Sequence, residues 1–287
     1  MDYKAGTGNG ARGVRRAGRQ DEAATTGAGM TQDDDRQRED SLFVASLGRA
    51  IRVLEAFDRG PRSLGLAELT ELTGLNRSAV QRFLHTWEQL GYLAKDPATR
   101  RFSLTPRVMA LGYSYLKGNR LVEVATPYLL EARTRTGNSV YLGVLYDTEI
   151  IYLVRLPQRF LLFESTLPGR RIPAFCGARA ILSRLPGPRV ADILARSAHE
   201  AITPYTVIDP ARNRALIERT RELGYCVSVQ EFLMGEIAVS APVVDARGEP
   251  LAAVYISAKY AEWSEERAER ELAPIALETA GAIGAQF

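Results

Sequence analysis

Apolar positions along this chain follow a helical period up to about residue 136 and a strand period after it. In SLGRAIRVLEAFDRG, Leu47, Ile51, Leu54 and Phe57 recur at helical spacing and predict a first helix, with ordered structure beginning near Ser41. Leu66, Ala67, Leu69 and Leu72 predict a second helix, which Gly74 ends by giving the tight turn its permissive backbone. Asn76 is a good N-cap for a third helix, RSAVQRFLHTWEQLGY, whose Val80, Phe83, Leu84, Trp87 and Leu90 share one side. After Gly91, YLAKDPATRRFSLT alternates apolar and polar residues on both sides of Asp96, Pro97 and Ala98, the pattern of a hairpin. Helices, turn and basic hairpin in this order predict a winged helix-turn-helix, with Leu42 and Phe43 free to bury against a partner chain.

The segment TPRVMALGYSYLKGNRLVEVATPYLLEARTRTG follows, with Pro106 suited to a first helical turn and Pro127 expected to force a break or restart. Arg107 to Leu116 reads as a linker helix, and Val124 to Thr136 as the opening of a second domain. From Ser139, SVYLGVLY and EIIYLVRLP predict a hairpin turning at Asp147 and Thr148, and FLLFESTLPG a third strand. GARAILSRL, VADILARSA and ARNRALIERTRELG read as helices, CVSVQEFLMGE as the start of a strand, and IAVSAPVVDARGEPLAAVYISAK as a strand pair. A last helix is predicted from about Ser264 to Ile283. The expected class is therefore α+β: a disordered arm over 1–40, the winged domain over 41–105, a linker helix over 106–120 and a ligand-enclosing domain over 121–287.

Charge sharpens the first half of this picture. The net charge is only +3, but between Ser46 and Tyr115 Arg and Lys outnumber Asp and Glu, so basic charge lies where the motif is. Asn76, Arg77, Ser78, Ala79, Gln81 and Arg82 open the third helix, and the start of such a helix reaches base edges in the major groove. Arg can donate twice to guanine and Gln can pair with adenine. Lys95, Arg100 and Arg101 on the hairpin suit phosphate or the minor groove, where they add salt-dependent affinity more than sequence choice. The arm's Arg12, Arg15, Arg16 and Arg19 read as a solvated tail or a nonspecific DNA contact, and Met30 stands open as an alternative start.

Other chemistry is poorly represented. No Cys-His-Asn or Ser-His-Asp order and no GxxxxGK[ST] loop is present, so an enzyme is not expected and no catalytic residue is assigned. With His85, His199, Cys176 and Cys226 scattered, neither a metal site nor a cofactor is expected, and two cysteines without a disulfide framework suit a reducing cytoplasm. No stretch predicts a signal peptide or a membrane span.

The runs SLGRAIRVLEAF, GLNRSAVQRFLHTWEQLGYL, RFSLTPRVMALGYSYL and GYCVSVQEFLMGEIAVSAPVVDARGEPLAAVYIS together resemble the isocitrate lyase regulator (IclR) family of bacterial transcription factors. The resemblance covers nearly everything after Ser46. FSLTPRVMALGYSYL, IIYLVRLP and RRIPAFC are most similar to the branch that regulates protocatechuate, 4-hydroxybenzoate and β-ketoadipate catabolism. It implies a GAF-like effector-binding domain after the linker helix, a homodimer or homotetramer on double-stranded operator DNA, and a small organic or aromatic acid as effector. RNA polymerase stays open as a further partner. By matching motif positions, the effector pocket would involve Ile172, Gly177, Ala178, Ser228, Ala238, Tyr255 and Ser257.

Departures from the family pattern fall in that pocket. CGARAIL is shorter than in relatives, leaving Gly177 and Ala178 as candidate free amides at a helix start. Ser228 stands where relatives often carry an acid, and Ala238 where some carry a more polar residue. Arg155 reads as an exposed strand-end arginine, with pairing to an acid as the alternative. Tyr141 and Tyr152 line the pocket or pack outside it. Two other outputs stay open: redox control through Cys176 or Cys226, and a DNA-tethered sensor acting mainly through protein contacts.

Overall fold

The computed structural model describes residues 42–58, 61–158 and 167–287. The expected arm over 1–40 and most of the strand expected in FLLFESTLPG lie outside the described residues. The chain divides into two compact units, one ending at Arg107 and the other running from Val108 to Phe287.

In the first unit, α1 (Ala45–Glu55) runs into a short 3-10 turn, followed by α2 (Leu66–Thr73), α3 (Arg77–Gln89) and the strands β1 (Leu93–Lys95) and β2 (Phe102–Leu104). The core gathers Val53, Phe57, Leu64, Leu69, Val80, Leu84, Trp87 and Phe102. Of the face expected to turn inward, Leu54 and Phe57 pack on the core, whereas Leu47 and Ile51 are exposed and Val53 and Ala50 take the inner positions of α1. The Trp87 indole donates to the Ala50 carbonyl at 2.9 Å, which fixes α1 on α3 through those positions. Gly74 takes a left-handed backbone (φ 65°) and caps α2 by donating to the Thr70 carbonyl. Leu64 pairs with Phe102, adding a single bridge beside the β1–β2 hairpin.

The helix α4 (Arg107–Lys117) has no buried residue, and α5 (Arg120–Thr136) follows. Contrary to expectation, Pro127 sits inside α5 without breaking it; the break falls at Gly118 and Asn119. Asn119 there accepts from the Leu121 and Val122 amides, so a side-chain cap sets the restart.

The second unit is built on a six-stranded, wholly antiparallel sheet of order β5-β4-β3-β8-β7-β6. Its strands are β3 (Ser139–Tyr146), β4 (Glu149–Leu156), β5 (Arg171–Pro173), β6 (Cys226–Val229), β7 (Glu236–Val244) and β8 (Pro250–Lys259). Between β5 and β6 lie α6 (Ala174–Gly177), α7 (Arg179–Leu182), α8 (Gly187–Arg196) and α9 (Pro210–Leu223). The expected last helix is two, α10 (Glu265–Glu271) and α11 (Ala273–Gly284), because Pro274 brings no amide to continue the ladder.

Alternation along the strands divides the sheet into two faces. Val140, Leu142, Val239, Ala241, Val254 and Ile256 pack with residues of α5 and α11. The opposite face, with Tyr141, Ile150, Tyr152, Ala253 and Tyr255, packs with Ile172, Phe175, Ile181 and Ile193. That second face carries the candidate effector residues.

Candidate effector site and nucleic-acid interface

In the first unit, Asn76 caps α3: its Oδ1 accepts from the Ala79 amide at 2.8 Å and from the Ser78 hydroxyl at 2.8 Å. Arg77, Ser78, Gln81 and Arg82 are exposed on the side away from Val80, Leu84 and Trp87, and Ala79 is half-buried. A cleft lined by Arg77, Gln81, His85, Lys95 and Arg100 runs between α3 and the hairpin. Arg100 lies in the hairpin turn with a left-handed backbone (φ 61°), and Asp96 holds that turn by accepting from the Ala98 and Thr99 amides. Those bonds keep the Asp96 carboxyl below its usual range.

Arg101 is employed differently from its neighbour. Its guanidinium donates to Glu68 at 2.9 Å and to the Ser63 carbonyl at 2.7 Å, while Glu68 also accepts from the Gly65 amide. This contact ties the hairpin to the start of α2 and holds the Glu68 carboxyl below its usual range, chiefly through the Arg101 bond. The sequence offered Arg100 and Arg101 as equals; their surroundings are not equal.

In the second unit, strand register gathers residues far apart in sequence. Ser139 faces Ser257, Ser257 faces Ala238, and Ala238 faces Ser228, a row of small side chains across β3, β8, β7 and β6. The next row on this face runs from Arg155 through Tyr141 and Tyr255 to Ser240. Gly143 lets the aromatic side chains close up: a Cβ there would lie 2.7 Å from Ile150 and 3.1 Å from Tyr255. Tyr152 stands 5.4 Å from Tyr141 and 5.2 Å from Tyr255 between ring centres.

The candidates divide between this face and its packing. Tyr255 donates its hydroxyl to the Gly177 carbonyl at 2.8 Å, and Ile172 is buried beneath Gly177, where a Cβ would meet it at 2.8 Å. The expected free amide at Ala178 is spent: it donates to the Ala174 carbonyl at 2.9 Å, because α6 runs almost directly into α7. Arg155 corrects the reading of an exposed strand-end arginine, for it is only 8% exposed and its Cζ lies 4.1 Å from the Tyr141 ring and 4.6 Å from the Tyr152 ring. Its strand position puts it on the covered face beside two aromatic rings, which period-2 alternation from Tyr152 does not reveal because β3 and β4 change register between Leu142 and Gly143.

Two charged groups outside the candidate set shape this face and its packing. Glu236, opening β7, is half-buried; burial pushes its carboxyl upward, opposed by a bond from Ser257 and by the charges of Arg155 and Arg170. Arg179 is fully buried and clamped to Glu231 at 2.6 and 2.7 Å, with Asn213 accepting at 2.8 Å. Thr206 and Thr203 donate to the Glu231 and Gln230 carbonyls, so the clamp fastens the turn between β6 and β7 to α7 and α9. Cys176 and Cys226 are buried free thiols near this clamp; burial pushes Cys176 up to about 12 and Cys226 upward, which disfavours the reactive thiolate.

Among the described residues no group of three or more His, Cys, Asp or Glu is placed to hold a metal, and no helix is long and apolar enough to cross a membrane. A winged helix-turn-helix unit followed by a helix-covered antiparallel sheet unit is the architecture of a DNA-binding regulator with an effector domain. The chain belongs to the IclR family of bacterial transcriptional regulators: residues 46–97 match the IclR helix-turn-helix domain and residues 113–285 the IclR C-terminal domain. It is 32% identical over 242 residues to the Pca regulon regulatory protein of Pseudomonas putida, covering 83% of this chain and 82% of that one. It is 31% identical to the p-hydroxybenzoate hydroxylase transcriptional activator of Acinetobacter baylyi, over 74% of this chain and 80% of that one. An IclR transcriptional regulator from Alicyclobacillus acidocaldarius shares the fold with a TM-score of 0.71 at 26% identity, covering 84% of this chain and 98% of that one.

Proposed function

We propose that this chain is a homo-oligomeric repressor or activator of an aromatic-acid catabolic operon. Its winged domain over 41–105 reads double-stranded operator DNA, a linker helix over 106–120 carries the signal, and the domain over 121–287 binds the effector. Arg77, Ser78, Gln81 and Arg82 meet base edges or nearby phosphates, Asn76 and Ala79 shape the helix start, and Lys95 and Arg100 meet the backbone. Arg101 acts mainly by holding the hairpin to Glu68. The effector lies against Ser228, Ala238, Ser257 and Tyr255, with Ile172, Gly177 and Ala178 forming the packed wall behind them.

The observation that carries the aromatic-acid reading is the in-register row of small side chains beside a buried arginine and tyrosine pair, which offers a flat surface and a cation together. The Pseudomonas and Acinetobacter relatives, named for the Pca regulon and for p-hydroxybenzoate hydroxylase, support the same class. Met109, Leu111, Tyr113 and Tyr115 on α4, and Leu47 and Ile51 on α1, are exposed apolar side chains that an oligomer would cover. A ligand shifts operator affinity only by its differential affinity for two arrangements of the oligomer. Thermal shift against benzoates and aliphatic acids, paired with operator anisotropy, tests the proposal. It is supported if aromatic acids raise the melting temperature and change operator affinity, and lost if neither responds.

A further inference from the structure

The polar end of the sheet contains a buried cation with N–H groups that no described residue accepts. Arg155 is 8% exposed, yet its Nε and Nη1 have no hydrogen-bond partner among the described residues. The Tyr141 and Tyr152 rings stack on the guanidinium and attract its charge, but their faces do not accept its in-plane N–H groups as a carboxylate would. The Tyr141 hydroxyl, also buried, lacks a partner as well. A buried donor left unmade in this way is costly to the free protein, and charged donors more so.

The surrounding charge is also unbalanced. Arg170 lies close enough to interact with both Arg155 and Glu236, and it stacks over Phe232 at 4.4 Å. Glu236 is the carboxylate that these two guanidinium groups share. Among the described residues, two cations against one anion leave room for one further negative charge, and register places this excess beside Ser139 and Ser257 in the small-residue row.

We propose that Arg155 is the anchor for the effector's carboxylate, with the Tyr141 hydroxyl as a second donor, so that the site selects a monoanionic carboxylic acid. This deepens the effector reading above and rests on its location. The ring of an aromatic acid then extends along Ala238 and Ser257, whose short side chains stand in register, and its carboxylate accepts from the guanidinium in a charge-assisted bond. Arg155 becomes satisfied only in the liganded state, which gives the ligand leverage over the arrangement that exposes the site.

The test is calorimetry on the full chain with 4-hydroxybenzoate, its neutral analogue 4-hydroxybenzamide, and hexanoate, for the unaltered protein and for Arg155→Gln and Arg155→Lys. The unaltered chain should prefer the acid to the amide, and Arg155→Gln should weaken the acid by ~10–100-fold while leaving the amide nearly unchanged. Arg155→Lys should retain part of the acid preference, and ligand-free Arg155→Gln should melt no lower than the unaltered chain. An unchanged acid-to-amide ratio in Arg155→Gln overturns the anchor. Equal weakening of both ligands with a lower melting temperature also overturns it, since that is a structural loss. Binding of hexanoate but not 4-hydroxybenzoate rejects the aromatic reading; the loss of hexanoate in Arg155→Gln then upholds the anchor, and its retention rejects it. Binding of no acid rejects both.

Discussion

The DNA-reading unit and the effector unit place their candidate functional side chains by opposite means. In the first, exposed residues follow one another along α3 and the hairpin, and one N-cap at Asn76 with one turn at Gly74 sets their direction. In the second, Ser228, Ala238, Ser257, Arg155 and Tyr141 come from five strands and meet only through sheet register. A surface built from one helix tolerates loss of a single contact without reshaping its neighbours. A site built from five strands depends on buried packing away from its candidate residues, such as Gly143 and the Arg179–Glu231 clamp. Damage to packing should therefore disable the second unit while damage to surface charge disables the first.

The largest effect should come from Glu231→Ala, which leaves the Arg179 guanidinium buried and unpaired. A loss of ~3–5 kcal/mol is expected in denaturant unfolding of the second unit. A loss under about 1 kcal/mol would show that the clamp is not what fastens the β6–β7 turn. Next is Gly143→Ala, which drives a methyl into Ile150 and Tyr255 and should cost ~1–3 kcal/mol, with weaker effector binding on calorimetry. Specific operator binding in the same variant, measured without effector, should be nearly unchanged.

The complementary change in the first unit is Arg82→Ala, expected to weaken the operator by ~1–3 kcal/mol with an unaltered melting curve. Equal operator affinity in an anisotropy titration would remove Arg82 from the groove. Smallest is the contrast within the hairpin. Arg100→Ala should reduce the slope of log affinity against log salt by about 1, uniformly across DNA sequences. Arg101→Ala should instead lower thermal stability, because its partners are Glu68 and Ser63. If both variants changed only the salt slope, the two arginines would be equivalent after all.

What the sequence made legible follows the same division. The helix-turn-helix and hairpin were readable because each element declares itself within a dozen residues: an apolar stripe ending at Gly74, an N-cap at Asn76, a turn at Asp96. Even there only half of the inward face of α1 is legible: Leu54 and Phe57 pack on the core, but Leu47 and Ile51 satisfy the helical period as well as Val53 does, and the Trp87 bond to Ala50 decides between them. In the effector unit the alternation of β7 and β8 makes the strands legible, and family resemblance picks out Ser228, Ala238 and Ser257 as candidates, while their common row appears only in the sheet register. The burial of Arg155 was hidden by the irregular register between β3 and β4, and the Arg179–Glu231 pair by 52 residues of intervening chain. Pro127 was overestimated as a breaker, and the local capping by Asn119 was the stronger signal.

Effector binding and operator binding, as proposed, are coupled in one chain. Anisotropy of the full chain on its upstream DNA, with and without a saturating aromatic acid, tests it most directly when the acid's affinity is also measured with and without that DNA. The acid should change operator affinity, and the DNA should change acid affinity by the same factor. Identical operator affinity in the presence of an acid that calorimetry shows to be bound would contradict it.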